Sequence, residues 1–204
     1  MNHSSQQHGA VSIMPSLILA SASPRRSELL KQIGLVHSIQ IADVDEAVFS
    51  NEPAADYVLR VAHAKSSVIH HSCPKNSVVL AADTAVVLDD KIMGKPENLD
   101  HAIEMLSHLS ARTHQVYSAV SLRGQLTQQC LKVSDVTFRA ISAQEIIQYW
   151  HTGEPADKAG AYAIQGLASI FVESISGSYS AIMGLPLFET AQLLSNEGIN
   201  IFNE

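Results

Sequence analysis

The chain is poor in cysteine and aromatic residues, and it contains no long apolar run. Its 204 residues include two cysteines, one tryptophan and 5% aromatics overall. Cys73 and Cys130 form no C-x-x-C pair. That pattern speaks against a disulfide framework and fits a reducing, cytoplasmic compartment. No stretch approaches the roughly 20 apolar residues that span a bilayer, so no membrane partner is expected. The first 13 residues have neither the basic nor the apolar region of a signal peptide. They read as a disordered extension over 1–13, with Met14 as a second candidate start and 14–204 as one folded domain. Basic clusters are missing too. Thirteen Lys and Arg stand against 20 Asp and Glu, a net charge of −7, and a surface of that sign repels nucleic acid.

Several catalytic signatures are absent. There is no G-x-x-x-x-G-K-[ST] and no G-x-G-x-x-G, which removes the P-loop and dinucleotide-binding readings. Ten histidines provide no H-E-x-x-H and no common zinc spacing. No G-x-S-x-G marks a nucleophilic serine.

The chain does have an ordinary globular share of apolar residues, 46%, enough at this length to bury a core. The run Leu17–Ala20 predicts a short buried strand. Ser23 as N-cap and Pro24 at the first position then open a helix that Gly34 closes. Helical spacing recurs over 54–70 and 99–109, and helices are also expected over 143–151 and 186–195. Residues 78–88 read as one or two buried strands, 115–122 and 130–138 as a hairpin about Gly124, and 168–174 as a further strand. Strands and helices alternate at first and a hairpin follows. The expected fold is therefore α/β, a mixed twisted sheet flanked by helices.

Five positions break the local rules. Arg25 and Arg26 fall in the first turn of a helix, at the positive end of its dipole, where cations are disfavoured by about 0.3–1 kcal/mol each. They are either solvated or turned with Ser21 and Ser23 onto an anion. Asp83 interrupts the apolar run 78–88. It either caps a strand end or serves as a metal ligand or general base, because a lone buried carboxylate costs several kcal/mol. Lys65 lies seven residues after Val58, on the apolar stripe of its helix. It either snorkels to water or points inward at a phosphate. Lys95 sits between Gly94 and Pro96, a short turn with a fixed direction.

Read together, the blocks Ser21–Arg26, Tyr57–Arg60 with Lys65, Ala82–Thr84, Gly94–Pro96, Asp157–Tyr162 with Gln165-Gly166, and Gly184–Pro186 resemble the Maf family of nucleotide pyrophosphatases. Their order is preserved from about Leu17 to Leu194. The resemblance implies a catalytic unit of two lobes around a central cleft, similar to the inosine-triphosphate pyrophosphatase architecture. It implies hydrolysis of a nucleoside triphosphate to the monophosphate and pyrophosphate with a divalent metal, Mg²⁺ or Mn²⁺. Asp83 matches the family's proton acceptor, while Ser21, Arg26, Glu46, Lys65 and Lys95 match polar residues of the cleft. Glu46 and Asp83 are the expected metal ligands. Arg25, Thr84 and Gln165 match the dTTP/UTP subgroup at three positions that separate base preferences, whereas a 7-methyl-GTP subgroup carries Trp, Gln and Glu there. A nucleotide-binding regulator of septum formation is the rival from another class, and a homodimer is implied by family analogy alone. Two departures stand out: Ala111 where Gly usually follows Ser110, and Ala163 where Gly usually precedes Ile164.

Overall fold

The architecture follows from one long strand that both faces of the molecule share. The structure, a computed structural model, describes residues 15–202; the extension expected over 1–13 and the start considered at Met14 lie outside the described residues. In chain order the elements are β1 (Ser16–Leu19), α1 (Pro24–Gln32), β2 (Ser38–Ile39), α2 (Ala54–Ser72), β3 (Ser77–Leu88), β4 (Lys91–Met93) and α3 (Leu99–Leu109). They continue with β5 (Thr113–Arg123), β6 (Thr127–Phe138), α4 (Ala143–Trp150), β7 (Val172–Ser176), α5 (Tyr179–Met183) and α6 (Leu187–Asn196). The strands form one mixed seven-stranded sheet in the order β2-β1-β3-β5-β6-β7, with β4 also paired to β3. β1 runs parallel to β2 and β3, and every other pairing is antiparallel.

Helices cover both faces, as the alternation of the sequence implied. On one face α2 packs Val58 and Ala62 against Ala85, Val87 and Ala119, and Ile69 against Ile18, Val79 and Ala81. The other face carries two larger cores. One joins Leu29, Leu30 and Leu194 of α1 and α6 to Leu19, Leu80 and Leu122. The second joins Leu106 and Ile146 of α3 and α4 to Val86, Val116 and Phe138. Full burial of each such side chain contributes about 1.5–3 kcal/mol. Among the described residues no helix is long and apolar enough to cross a membrane.

Several expectations need correction. Residues 78–88 form one strand, because the pairing with β5 is continuous from Val79 to Val87. Residues 168–171 belong to a 3₁₀ turn, Leu167–Phe171, and the strand starts only at Val172. Apolar content alone does not distinguish the two. Ser23 does occupy the N-cap of α1, but its side chain makes no capping bond. Its backbone N–H donates instead to Ser21 Oγ at 3.2 Å. The strands β2 and β4 are two and three residues long, too short to leave a periodic signal.

Ala111, just past the C-terminal end of α3, has φ of 56°. That is left-handed backbone, which costs an L-residue with a Cβ about 1–2 kcal/mol. Ala111→Gly is therefore expected to stabilise the fold by about 1 kcal/mol, after subtracting glycine's greater freedom in the unfolded chain. Thermal melting should rise by about 2–4 °C; an unchanged or lower midpoint would refute the strain.

His114 supplies a pH test. It is buried among Phe138 and Tyr162, with Nε2 2.8 Å from the Tyr162 hydroxyl. Burial pushes its imidazolium down to about 4. An unfolded histidine titrates near 6.5, so below that pH the unfolded chain takes up a proton that the folded one refuses. Stability should fall by about 3 kcal/mol between pH 6.5 and 4. Urea midpoints across that range should lose most of this slope in His114→Gln.

Candidate active site

A break in strand pairing opens the site. On the edge of β3 that faces away from β5, β1 pairs with Ser77–Leu80 and β4 with Val86–Leu88. Residues 81–85 lie between these neighbours, and a cavity of about 660 Å³ opens there. Alternation along the strand sends Asp83 to the α2 face and Thr84 to the opposite face. Both nonetheless reach the cavity, because it lies at the open edge.

On the α2 face, the ammonium of Lys65 lies 2.9 Å from Asp83 Oδ1 and 2.8 Å from Glu46 Oε1. Lys65 therefore points inward and does not snorkel; its side chain is only 10% exposed. Its immediate partners are two carboxylates, so its charge answers the buried Asp83 directly. Burial raises the Asp83 carboxyl above the ordinary carboxylate range, against the pull of Lys65 and Arg26. Glu46 comes from the irregular segment between β2 and α2 and is half exposed. Two hard carboxylates converging on one cation, with a second oxygen on each, are a donor set that suits Mg²⁺ or Mn²⁺ completed by phosphate oxygens. Among the described residues no group of three or more His, Cys, Asp or Glu forms a self-sufficient metal site. A metal held by Glu46 and Asp83 would take its remaining oxygen ligands from water or a bound anion.

On the opposite face Arg26 turns away from solvent. Its Nε donates to Gly184 O at 2.9 Å, Nη1 to Ser21 Oγ at 3.1 Å and Nη2 to Thr84 Oγ1 at 3.3 Å. Burial lowers its pKa, which the Asp83 charge opposes. The penalty at the start of α1 is thus met by fixed acceptors from three separate parts of the chain.

All nine residues singled out from the sequence line this one cavity: Ser21, Arg25, Arg26, Glu46, Lys65, Asp83, Thr84, Lys95 and Gln165. They fall into two bonded groups, Glu46-Lys65-Asp83 and Ser21-Arg26-Thr84. Arg25, Lys95 and Gln165 stand on the surrounding walls, and the last two are exposed. Val86, Ile164 and Ile182 add an apolar wall.

Sequence reasoning named Tyr57 only within a motif block and gave it no role, yet its phenol also lines the cavity. Burial, then the charges of Asp83 and Glu46, push its pKa up to about 12, so it stays a donor. The available signal was its place at i, i+4, i+8 with Val61 and Lys65 on α2. Lys158, paired with its neighbour Asp157, is another lining cation that the motif block alone did not distinguish.

The loop carrying Gln165 is held by Glu154. The Tyr149 hydroxyl donates to Glu154 Oε1 at 2.7 Å, and the backbone N–H groups of Leu167 and Ala168 donate to Oε2 and Oε1 at 2.9 and 3.3 Å. Removing this carboxylate in Glu154→Ala leaves three donors unpaired, at about 1–3 kcal/mol. Amide exchange at Leu167 and Ala168 should accelerate while exchange in β3 is unchanged; equal protection at both would overturn this role.

The geometry can be set beside known proteins. The family described as Maf-like protein matches residues 16–197. A protein of Methylococcus capsulatus named dTTP/UTP pyrophosphatase is 54% identical over 90% of this chain and 91% of its own length. A relative of the same name from Nitrosomonas europaea is 50% identical over 91% and 96%. Among solved structures, a nucleoside-triphosphatase / dITP/XTP pyrophosphatase from Mycobacterium abscessus aligns over 90% of this chain and 95% of that one. Its TM-score of 0.39 and 12% identity carry no argument about the site.

Proposed function

From the premise that this chain belongs to the Maf-like protein family, we propose that it hydrolyses dTTP and UTP to the monophosphate and pyrophosphate. The observation that carries the reading is the buried Lys65-Asp83 pair, joined by the half-exposed Glu46, in a cavity whose other face offers Arg26, Thr84 and Gln165. Relatives about half identical over nearly their whole length, named dTTP/UTP pyrophosphatase, support the same substrates.

The reaction is attack of water on the α-phosphorus, with the α–β bridging oxygen leaving on pyrophosphate. Asp83 accepts the water's proton, and burial assists by raising its basicity above that of an ordinary carboxylate. Lys65 holds Asp83 in place at 2.9 Å and keeps it ionised for that step. Glu46 and Asp83 would hold Mg²⁺ or Mn²⁺, which supplies Lewis-acid stabilisation of the phosphoryl oxygens. Arg26, Lys95 and the start of α1 neutralise the triphosphate and the charge developing on the leaving group. Arg25, Thr84 and Gln165 face the base or sugar.

Asp83→Asn should abolish pyrophosphate release while nucleotide binding stays measurable by calorimetry. Full turnover in that variant would sink the assignment. Across a panel of canonical and 7-methyl triphosphates with Mg²⁺, dTTP and UTP are expected to give the highest kcat/KM. Preference for 7-methyl-GTP, or no turnover at all, would reject the proposed substrates.

A further inference from the structure

Thr84 and Ser118 interrupt the apolar face between the two larger cores. Ser118 lies opposite Thr84 in the pairing of β3 with β5, flanked on its own strand by inward Val116 and Val120. It is fully buried behind Thr84, with 0% exposure. A polar side chain at such a position is retained only if its hydrogen bonds are satisfied.

The bonds have a fixed direction. Ser118 Oγ lies 2.6 Å from Ala181 O. Two oxygens that close repel unless a proton lies between them, so the single Ser118 hydrogen is committed to that carbonyl. Thr84 Oγ1 is 3.1 Å from Ser118 Oγ, and it must then be the donor in that pair. Arg26 Nη2 donates into Thr84 Oγ1 from the other side at 3.3 Å. The chain runs Arg26 to Thr84 to Ser118 to Ala181, and each hydroxyl hydrogen in it is used. Thr84 keeps one lone pair and no hydrogen for anything in the cavity.

We propose that Ser118 is a specificity-determining positioning residue: by taking the Thr84 hydrogen it makes Thr84 an obligatory acceptor toward the substrate base. Uracil and thymine present an N3–H donor on their pairing edge, where cytosine presents a lone pair. An acceptor locked in place opposite N3, and not opposite the substituent at position 4, bonds the first and repels the second. A freely rotating hydroxyl would satisfy either. The end of α5 anchors the device, because Gly184 O also receives Arg26 Nε and Ala181 O also receives Gly184 N–H at 2.9 Å. The inference rests on the pyrimidine triphosphate reading and adds to it the atom that distinguishes two pyrimidines.

The test compares inhibition constants of α,β-imido-UTP and α,β-imido-CTP for the full chain and its variants, using melting temperature as the control for folding. The native chain should favour the uridine analogue, and Ser118→Ala should narrow that preference about tenfold. Ser118→Cys, nearly isosteric with a weak donor and acceptor, should narrow it as well, and Ser118→Thr should keep it. Ser118→Ala combined with Thr84→Val should match Thr84→Val alone, since both act through one hydroxyl. A merely structural role would weaken both analogues equally. That outcome, an unchanged ratio, or no uridine preference in the native chain would overturn the proposal. Selective binding that depends on Ser118 without pyrophosphate release from UTP or dTTP would reject the hydrolase reading and support this one.

Discussion

The ammonium of Lys65 is the constraint on which the site depends. Asp83 lies in the middle of a buried strand, and an unpaired charge there would cost several kcal/mol. Lys65 answers it at 2.9 Å and reaches Glu46 at 2.8 Å, drawing the irregular segment after β2 toward α2 and β3. The apolar stripe of α2, packed on β3 and β5 through Val58 and Ala62, fixes the height at which the ammonium sits. Packing and electrostatics therefore act on the same side chain.

A single strand separates two kinds of chemistry. Asp83 and Thr84 are adjacent in sequence but project to opposite faces of β3, one toward Lys65 and the other toward Arg26 and Ser118. In the middle of a fully paired sheet those faces would never meet. They share a cavity only because β1 stops at Leu19 and β4 pairs no earlier than Val86. The gap in pairing lets one ligand reach the Asp83-Lys65 pair from one face and the Arg26-Thr84 pair from the other.

Much of this was legible from residue pattern. The long helices, the hairpin and the buried strand 78–88 follow from periodicity and turn residues. Asp83, Lys65 and the arginine pair were visible as polar groups where apolar ones belong. Ser118 carried the same signal, a serine between inward-facing Val116 and Val120, but a small hydroxyl costs less to bury than a charge and draws less notice. Tyr57 was harder to see, since a tyrosine on a helix stripe is ordinary core. The short strands β2 and β4 and the one-turn helix α5 left no pattern to read, and α5 supplies the carbonyls that hold Ser118 and Arg26.

The sequence by itself determined which elements form and which side chains must find a partner. Those follow from local propensity and from the cost of burying charge, and both are written residue by residue. Only the tertiary structure decided who the partners are. Lys65 turned to two carboxylates, Arg26 to Gly184 and Thr84, and Thr84 to Ser118. Chain distances of 18 to 158 residues separate most of these pairs. No local rule spans such distances. The direction of the hydroxyl chain was decided at the same level, because a hydrogen bond's polarity depends on the last acceptor in the series, the Ala181 carbonyl at the end of a helix one turn long.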